Sequence, residues 1–306
     1  MHCTQLNHYI NFIINCDLIP ATFIRTLYIM KKHVSNDDKK IALVAGALQL
    51  PFFTRDALRR AGWDVFVVGL KNFVDPKLNP DMVIRLGGAG RAIREFRHGG
   101  IHKMTFVGAI GHPNLYDIRP DLWSLTALIS IMKHQRGYDS MAVALNKVLE
   151  KRGFTVVAAQ DIAPELTFQR AGVQTKTKPT KSDAPDIERA IDVSHTIGAA
   201  DIGASVVVDK QVIAVEAAEG TAKMLERVVK MRKNLRRNRG VFAKMTKPGQ
   251  DLRIDIPAIG VDTVRSVAAA HLRGIVVNTK SCFVGDRENV IREANKLKIF
   301  IVAIDE

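Results

Sequence analysis

Short apolar runs of strand length, separated by helix-length amphipathic segments, set the strongest constraint on this chain. Residues 41–45, 64–70 and 104–108 are near-continuous hydrophobic stretches. A strand that is apolar on both faces belongs inside a parallel sheet covered by helices. Between these runs, residues 52–61 and 91–97 have helical patterning and stop at Gly62 and at Gly99-Gly100. This strand–helix–strand rhythm predicts a parallel sheet with helices on its faces. The strand ends at Gly46 and Gly108 then lie on the edge where α/β sheets bind ligands.

The rhythm continues. Residues 124–133 read as a helix and 134–137 as a short linker. A second unit follows: helix 139–152, strand 155–159, an exposed loop 176–186 rich in Lys, Thr and Pro, and helix 187–197. Strands 204–208 and 212–215 pair around Asp209-Lys210, and a basic helix spans 222–233. Strands 275–278, 282–284 and 299–303 close the chain, with helix 287–297 among them. A chain of 306 residues can bury two cores. The expected architecture is α/β: an N-terminal Rossmann-like parallel-sheet domain over 40–134 and a second α/β domain over 138–306, joined by the linker.

Residues 1–39 differ in composition and read as an atypical N-terminal extension. Translation naturally starting at Met30 would make residues 1–29 an upstream extension, with a short interfacial anchor as the alternative. The stretch 9–30 is interrupted by Asn11, Asn15, Asp17, Pro20 and Arg25. It falls short of the about 20 apolar residues that a spanning helix needs, and it lacks the flanks of a signal peptide.

Cys3, Cys16 and Cys282 have neither paired nor metal-ligand spacing, which fits a reducing cytoplasm. The net charge of +14 favours anionic partners. Ten basic residues and one acid, Glu226, lie between Lys223 and Lys247. That stretch suits nucleic acid, an anionic membrane surface or a solvated helix. Its core holds no aromatic residue to stack bases, Phe242 being the nearest, and no nucleic-acid-binding motif accompanies it.

Three segments can carry chemistry. Gly46 to Pro51 forms a strand-to-helix junction, either a phosphate cradle or an ordinary turn. Glu216, Glu219 and Thr221 follow a hydrophobic strand and open a helix, with Thr221 as a plausible N-cap. They suit either a divalent cation or a capped helix with solvated carboxylates. In Lys247 to Pro257, Asp251, Arg253 and Asp255 would share one face of a short strand. That face is either a phosphate-binding wall or a solvent-facing edge with ion pairs.

The ordered landmarks are Ala45-Gly46 with Leu50-Pro51, Asp75-Pro76, Pro120-Asp121, Asp201-Ile202-Gly203, Glu216 with Glu219-Gly220-Thr221, and Lys247-Pro248 to Gly260. Together, across about residues 41–305, they resemble the LpxI-type UDP-2,3-diacylglucosamine pyrophosphatases of lipid A synthesis. The resemblance implies a cytoplasmic enzyme, peripheral on the inner membrane, that cleaves the diphosphate by water attack on phosphorus with Mg²⁺. The products are UMP and lipid X (2,3-diacylglucosamine 1-phosphate). It implies a UDP-linked diacylated glucosamine as partner, no nucleic acid, and a homodimer. Its site residues map to Glu219, Thr221 and the position of Ala222 for catalysis, and to Glu216 and Glu219 for the metal. Ala45, Gly46, Leu50, Pro51, Gly108, His112, Asp139, Asp201, Lys247, Gln250, Asp251 and Asp255 map to substrate binding.

The departures from the pattern are polar. Ala222 stands where the family carries its catalytic aspartate, Tyr138 replaces an aspartate, Ala204 a glutamine and His112 an arginine, and Leu48-Gln49 replace glycines. Two readings follow: a working pyrophosphatase in which Glu219, Glu216 or Asp251 supplies the carboxylate, or a homologue that binds a UDP-lipid or lipid X without efficient turnover. A basic nucleic-acid-binding protein is a third, minor one.

Overall fold

The computed structural model describes residues 39–110, 119–132, 138–200, 202–232 and 239–305. Side chains at 128, 130–132 and 138–142 fall outside that description, as does the N-terminal extension up to residue 38.

The first sheet contains β1 (Lys40–Ala45), β2 (Asp64–Leu70), β3 (Met82–Ile84), β4 (Lys103–Val107) and β5 (Thr155–Val156). Its order is β3-β2-β1-β4-β5, and β1 with β4, β2 with β3 and β4 with β5 run parallel. The helices are α1 (Leu50–Arg60), α2 (Ala89–His98), α3 (Leu122–Met132) and α4 (Tyr138–Glu150). Period-two alternation splits β1 between two cores. Ile41, Leu43 and Ala45 pack with Ala57 and Leu58 of α1, whereas Ala42 joins Phe96 of α2, Met104, Leu149 and Phe154. That two-sided burial is the reason the run 41–45 is apolar throughout.

Strand β5 and the C-terminal part of α4 belong to this first sheet and its core. The change of sheet therefore falls between residues 156 and 172, not at 134–137 as the sequence reading expects. Parallel strands need a long crossover, and α3 with α4 supplies the one from β4 to β5. A polar break inside that crossover reads as a linker when only local composition is used.

A short helix α5 (Ala159–Ile162) leads into the second sheet. Its strands are β6 (Gly172–Val173), β7 (Ala204–Val208), β8 (Gln211–Val215), β9 (Val241–Lys244), β11 (Gly274–Asn278) and β13 (Phe300–Ile304). The order is β6-β13-β11-β9-β7-β8. Strands β13, β11 and β9 run parallel, while β6, β7 and β8 are antiparallel to their neighbours. The β7–β8 hairpin turns at Asp209 and Lys210, with φ of 48° and 65°. Two left-handed residues in a row are the turn that right-twisted strands prefer.

The covering helices are α6 (Ala184–Gly198), α7 (Gly220–Met231), α8 (Val261–Ala269) and α9 (Arg287–Lys296). A two-stranded parallel ladder, β10 (Ala258–Ile259) with β12 (Phe283–Val284), lies beside the sheet. Through it the two sheets share a core: Phe283 packs in the same cluster as Ile41 and Leu43. Among the described residues, no helix is long and apolar enough to cross a membrane.

Residues 247–257 are a turn, not the short strand expected. The N–H groups of Ile254 and Asp255 both donate to the Asp251 carbonyl. Asp251, Arg253 and Asp255 therefore do not alternate on one face.

Candidate functional site

The parallel strands of the second sheet end at a polar rim, and the site assembles there. Strand β9 carries Phe242, fully buried, and two residues later Lys244 on the same face. Lys244 runs its stem over that core and puts its ammonium at the rim. On the neighbouring strand, Ala204 lies opposite Lys244, and the Glu216 N–H donates to the Ala204 carbonyl. The strand ladder thus brings the start of β7, the end of β8 and the end of β9 to one edge.

After β8 the chain turns through Gly220, whose φ of +81° is left-handed. Nothing lies within 4 Å of where its Cβ would be, so glycine is needed there for backbone conformation, not for space. Helix α7 begins with Glu219 at its N-cap and with no side-chain cap bond. Thr221 is inside the helix, not at the expected N-cap. Its hydroxyl donates to Glu216 Oε1 at 2.8 Å. Lys244 Nζ donates to Glu216 Oε2 at 2.7 Å and to Thr221 Oγ1 at 2.7 Å. The result is a closed triangle of carboxylate, hydroxyl and ammonium. The side chains of Lys244 and Glu216 are only 14% and 18% exposed.

Glu219 is engaged elsewhere, with Oε1 2.8 Å from Arg227. That guanidinium holds the Glu219 carboxyl below its usual range. Ala222 is exposed on the first turn of α7.

These carboxylates do not fit a resident Mg²⁺. Both Glu216 oxygens already serve Thr221 and Lys244, and Glu219 serves Arg227. Among the described residues no group of three His, Cys, Asp or Glu side chains is placed to hold a metal ion. Cys282, buried near Lys244, has its thiol pushed up to about 12 by burial and stays protonated.

The turn 247–257 supplies a second polar group. Lys247 N–H donates to Gln250 Oε1 at 2.9 Å, and Gln250 Nε2 donates to Asp255 Oδ2 at 2.7 Å. Lys247 Nζ also reaches Asp255, at 3.3 Å.

Asp251, which the resemblance maps to substrate binding, makes structural contacts. It is 8% exposed and accepts from Arg253 Nε and Nη2, both at 2.8 Å, and from Asn146 Nδ2 on α4. Arg253 also reaches Glu150 on α4 at 3.0 Å. Asp251 ties this turn to α4 of the first sheet. The Arg253 hydrogen bond outweighs burial and holds the Asp251 carboxyl below its ordinary 3.8. A carboxyl with a depressed folded-state pKa stabilises above its unfolded value and loses that contribution as pH falls through the folded one. Asp251→Asn is therefore expected to cost about 1.5–3 kcal/mol at neutral pH. The gap from the native chain should narrow below pH 3.8. Urea unfolding across that range reads it; an undiminished gap would contradict this role.

At the first sheet, β1 and β4 end side by side. Gly46 N–H donates to the Val107 carbonyl at 2.9 Å, and Ala47 and Ala109 exchange backbone bonds. A Cβ on Gly46 would lie 2.6 Å from the Ala109 oxygen, so close backbone approach explains this glycine. Gly108 mirrors it, with φ of +103°. Leu48 sits at φ 74°, left-handed backbone where the family pattern has glycine. The backbone demand persists although the residue does not meet it, which stores about 1–2 kcal/mol of strain. Ala45 and Pro51 are buried and Leu50 half-buried, packing around the start of α1. Leu50 and Phe53 approach Gly285, just past β12.

The structure thus brings Glu216, Glu219, Thr221 and Ala222 together on one turn, and Lys247, Gln250 and Asp255 on another. His112 and Asp201 lie outside the described residues, as does the Asp139 side chain. Lys244 and Asn146 were not singled out from sequence. Lys244's one signal was its place directly after the apolar run Val-Phe-Ala.

Two α/β layers, with a cationic rim where parallel strands end, define a two-sheet α/β protein suited to an anionic ligand. The family models described as LpxI N-terminal domain and LpxI C-terminal domain match residues 40–166 and 170–302. The chain is 35% identical over 275 residues to "UDP-2,3-diacylglucosamine pyrophosphatase LpxI" of Caulobacter vibrioides, covering 87% of this chain and 98% of that protein. The chain belongs to the LpxI family.

Proposed function

We propose that this chain takes UDP-2,3-diacylglucosamine and cleaves its diphosphate with water, giving UMP and lipid X for lipid A biosynthesis. The supporting observation is family membership in both halves, residues 40–166 and 170–302, with a 35% identical pyrophosphatase. The site's chemistry agrees. Phosphoryl transfer to water relies on positioning and charge stabilisation. The rim provides ammonium groups and the uncapped N-terminus of α7. Exposed Lys223, Lys230 and Met231 on α7 support contact with an anionic inner-membrane surface.

Ala222 favours a second reading, in which the substrate is bound and turned over slowly. A general base contributes about 10²–10⁴-fold. Glu216 is locked in the triangle, and the depressed pKa of Glu219 makes it a weak base. Alanine accepts no proton.

Passing a stoichiometric mixture of the full chain and UDP-2,3-diacylglucosamine through a sizing column tests both. Intact substrate eluting with the protein supports slow turnover; UMP with lipid X supports the enzyme. UDP as product, or neither retention nor products, would remove both.

A further inference from the structure

We propose that Lys244 is the group that receives a phosphate of the ligand, with Thr221 positioning its ammonium and Glu216 serving as its counter-charge until the phosphate arrives. The inference rests on the functional reading above for the ligand's identity and deepens it by naming the residue that holds the diphosphate.

A lysine this buried demands a reason. A lysine side chain only 14% exposed carries a desolvation penalty, and an ion pair of this kind seldom stabilises more than apolar residues of the same volume. Strand β9 is otherwise Val-Phe-Ala, and a fourth apolar residue would extend the core at no electrostatic cost. The cation stands at the C-terminal end of a parallel strand, at the edge where α/β folds place ligands.

The donor inventory points the same way. An ammonium has three N–H donors. Two go to Glu216 and Thr221, both at 2.7 Å. The third meets no protein acceptor among the described residues. Thr221 accepts from Lys244 while donating to Glu216 Oε1, so the triangle fixes the direction of the remaining donor. Thr221 lies in the first turn of α7, a helix of 12 residues that no side chain caps. Backbone N–H groups of that turn are unused by the helix itself, and they share the rim with Lys244. The other cations nearby are engaged: Arg227 with Glu219, and Lys247 with Asp255.

A structural ion pair and a phosphate-binding group respond oppositely to removal of Glu216. If Lys244 exists to neutralise Glu216, both single variants disturb the site alike. If it exists for phosphate, Glu216→Gln keeps the ammonium and removes its counter-charge.

The test is calorimetric binding to the full chain in EDTA, with UDP-2,3-diacylglucosamine in detergent, UDP, inorganic pyrophosphate and uridine as probes. For Lys244→Met, affinity for UDP and pyrophosphate is expected to fall about 10- to 100-fold, with uridine unchanged. Lys244→Arg should recover part of it. For Glu216→Gln, UDP affinity should hold or rise, a result that stands even if Lys244→Met fails to fold. Equal UDP affinity in Lys244→Met and native chain, a parallel loss of uridine, or weaker UDP binding in Glu216→Gln would each overturn the proposal while leaving the functional reading intact. A native chain that binds pyrophosphate through Lys244 but neither UDP nor the UDP-lipid would overturn the functional reading and keep the phosphate site. A native chain that binds no probe overturns both.

Discussion

Replacing Ala222 by aspartate is expected to raise UMP release from UDP-2,3-diacylglucosamine by about 10²–10⁴-fold, the range a positioned general base contributes. Every other carboxylate on that turn is committed: Glu216 to Thr221 and Lys244, Glu219 to Arg227. An aspartate at 222 would be the one carboxylate there without a cation partner. The substitution should leave the fold unharmed. Position 222 is exposed in the first turn of α7, where a negative charge is favoured by about 0.3–1 kcal/mol. A rate gain with unchanged unfolding would therefore report chemistry. The new charge also lies near the ligand's phosphates, so KM is expected to rise along with kcat. Initial rates at saturating substrate, with Mg²⁺ in the buffer, read both. Equal rates in the two proteins would show that another group in the native chain already does this work.

The second large effect concerns what holds the two sheets together. Phe283→Ala is expected to destabilise the chain by about 3–5 kcal/mol, the cost of emptying a buried phenylalanine site. Phe283 is 1% exposed and pairs opposite Ala258 in the β10–β12 ladder. Its N–H donates to the Pro257 carbonyl at 2.8 Å, and it bridges to Thr167. Its ring packs in the cluster of Ile41 and Leu43 of β1 and Ala57 and Leu58 of the covering helix α1. One side chain of the second half is thus core to the first. Removing it should lower the urea midpoint and spread the transition, because the halves lose their shared contact. A loss under about 1 kcal/mol would mean that the cavity collapses without cost.

The first sheet was legible because β1 and β4 are buried on both faces, which forces apolar runs. Strand β2 was placed with its full bounds, Asp64–Leu70, because Gly62 punctuates the chain before it. The β7–β8 hairpin was legible because only its two-residue turn interrupts the apolar alternation. Strand β9 was missed because Val241–Lys244 lies within a basic stretch whose charge masks a short central strand. Helix α8 has only 9 residues and was not singled out. The strand expected over Asp251 to Asp255 failed for a tertiary reason. Asp251 is drawn to Asn146 on α4 and folds Arg253 back onto itself, so the chain turns. Local alternation held no trace of that distant partner.

At the site, the sequence identified the turn but not its wiring. Glu216, Glu219 and Thr221 do lie together, yet the cation among them is Lys244, which is 28 residues from Glu216 and joined to it only through strand pairing. An ordered list of carboxylates points to a metal. The sheet register adds a lysine and changes what those carboxylates do. Ala222 is the converse case: its meaning came from the family pattern, and the structure adds that the described carboxylates of that turn, Glu216 and Glu219, are engaged with other partners.

The most direct test of the central claim is the product pair made by the native full chain from UDP-2,3-diacylglucosamine in detergent with Mg²⁺. Chromatography with mass detection follows both halves of the substrate. UMP and lipid X are predicted, in equal amounts, formed slowly and at a rate proportional to protein. UDP with a non-phosphorylated acyl sugar, or intact substrate from both the native chain and Ala222→Asp, would contradict it.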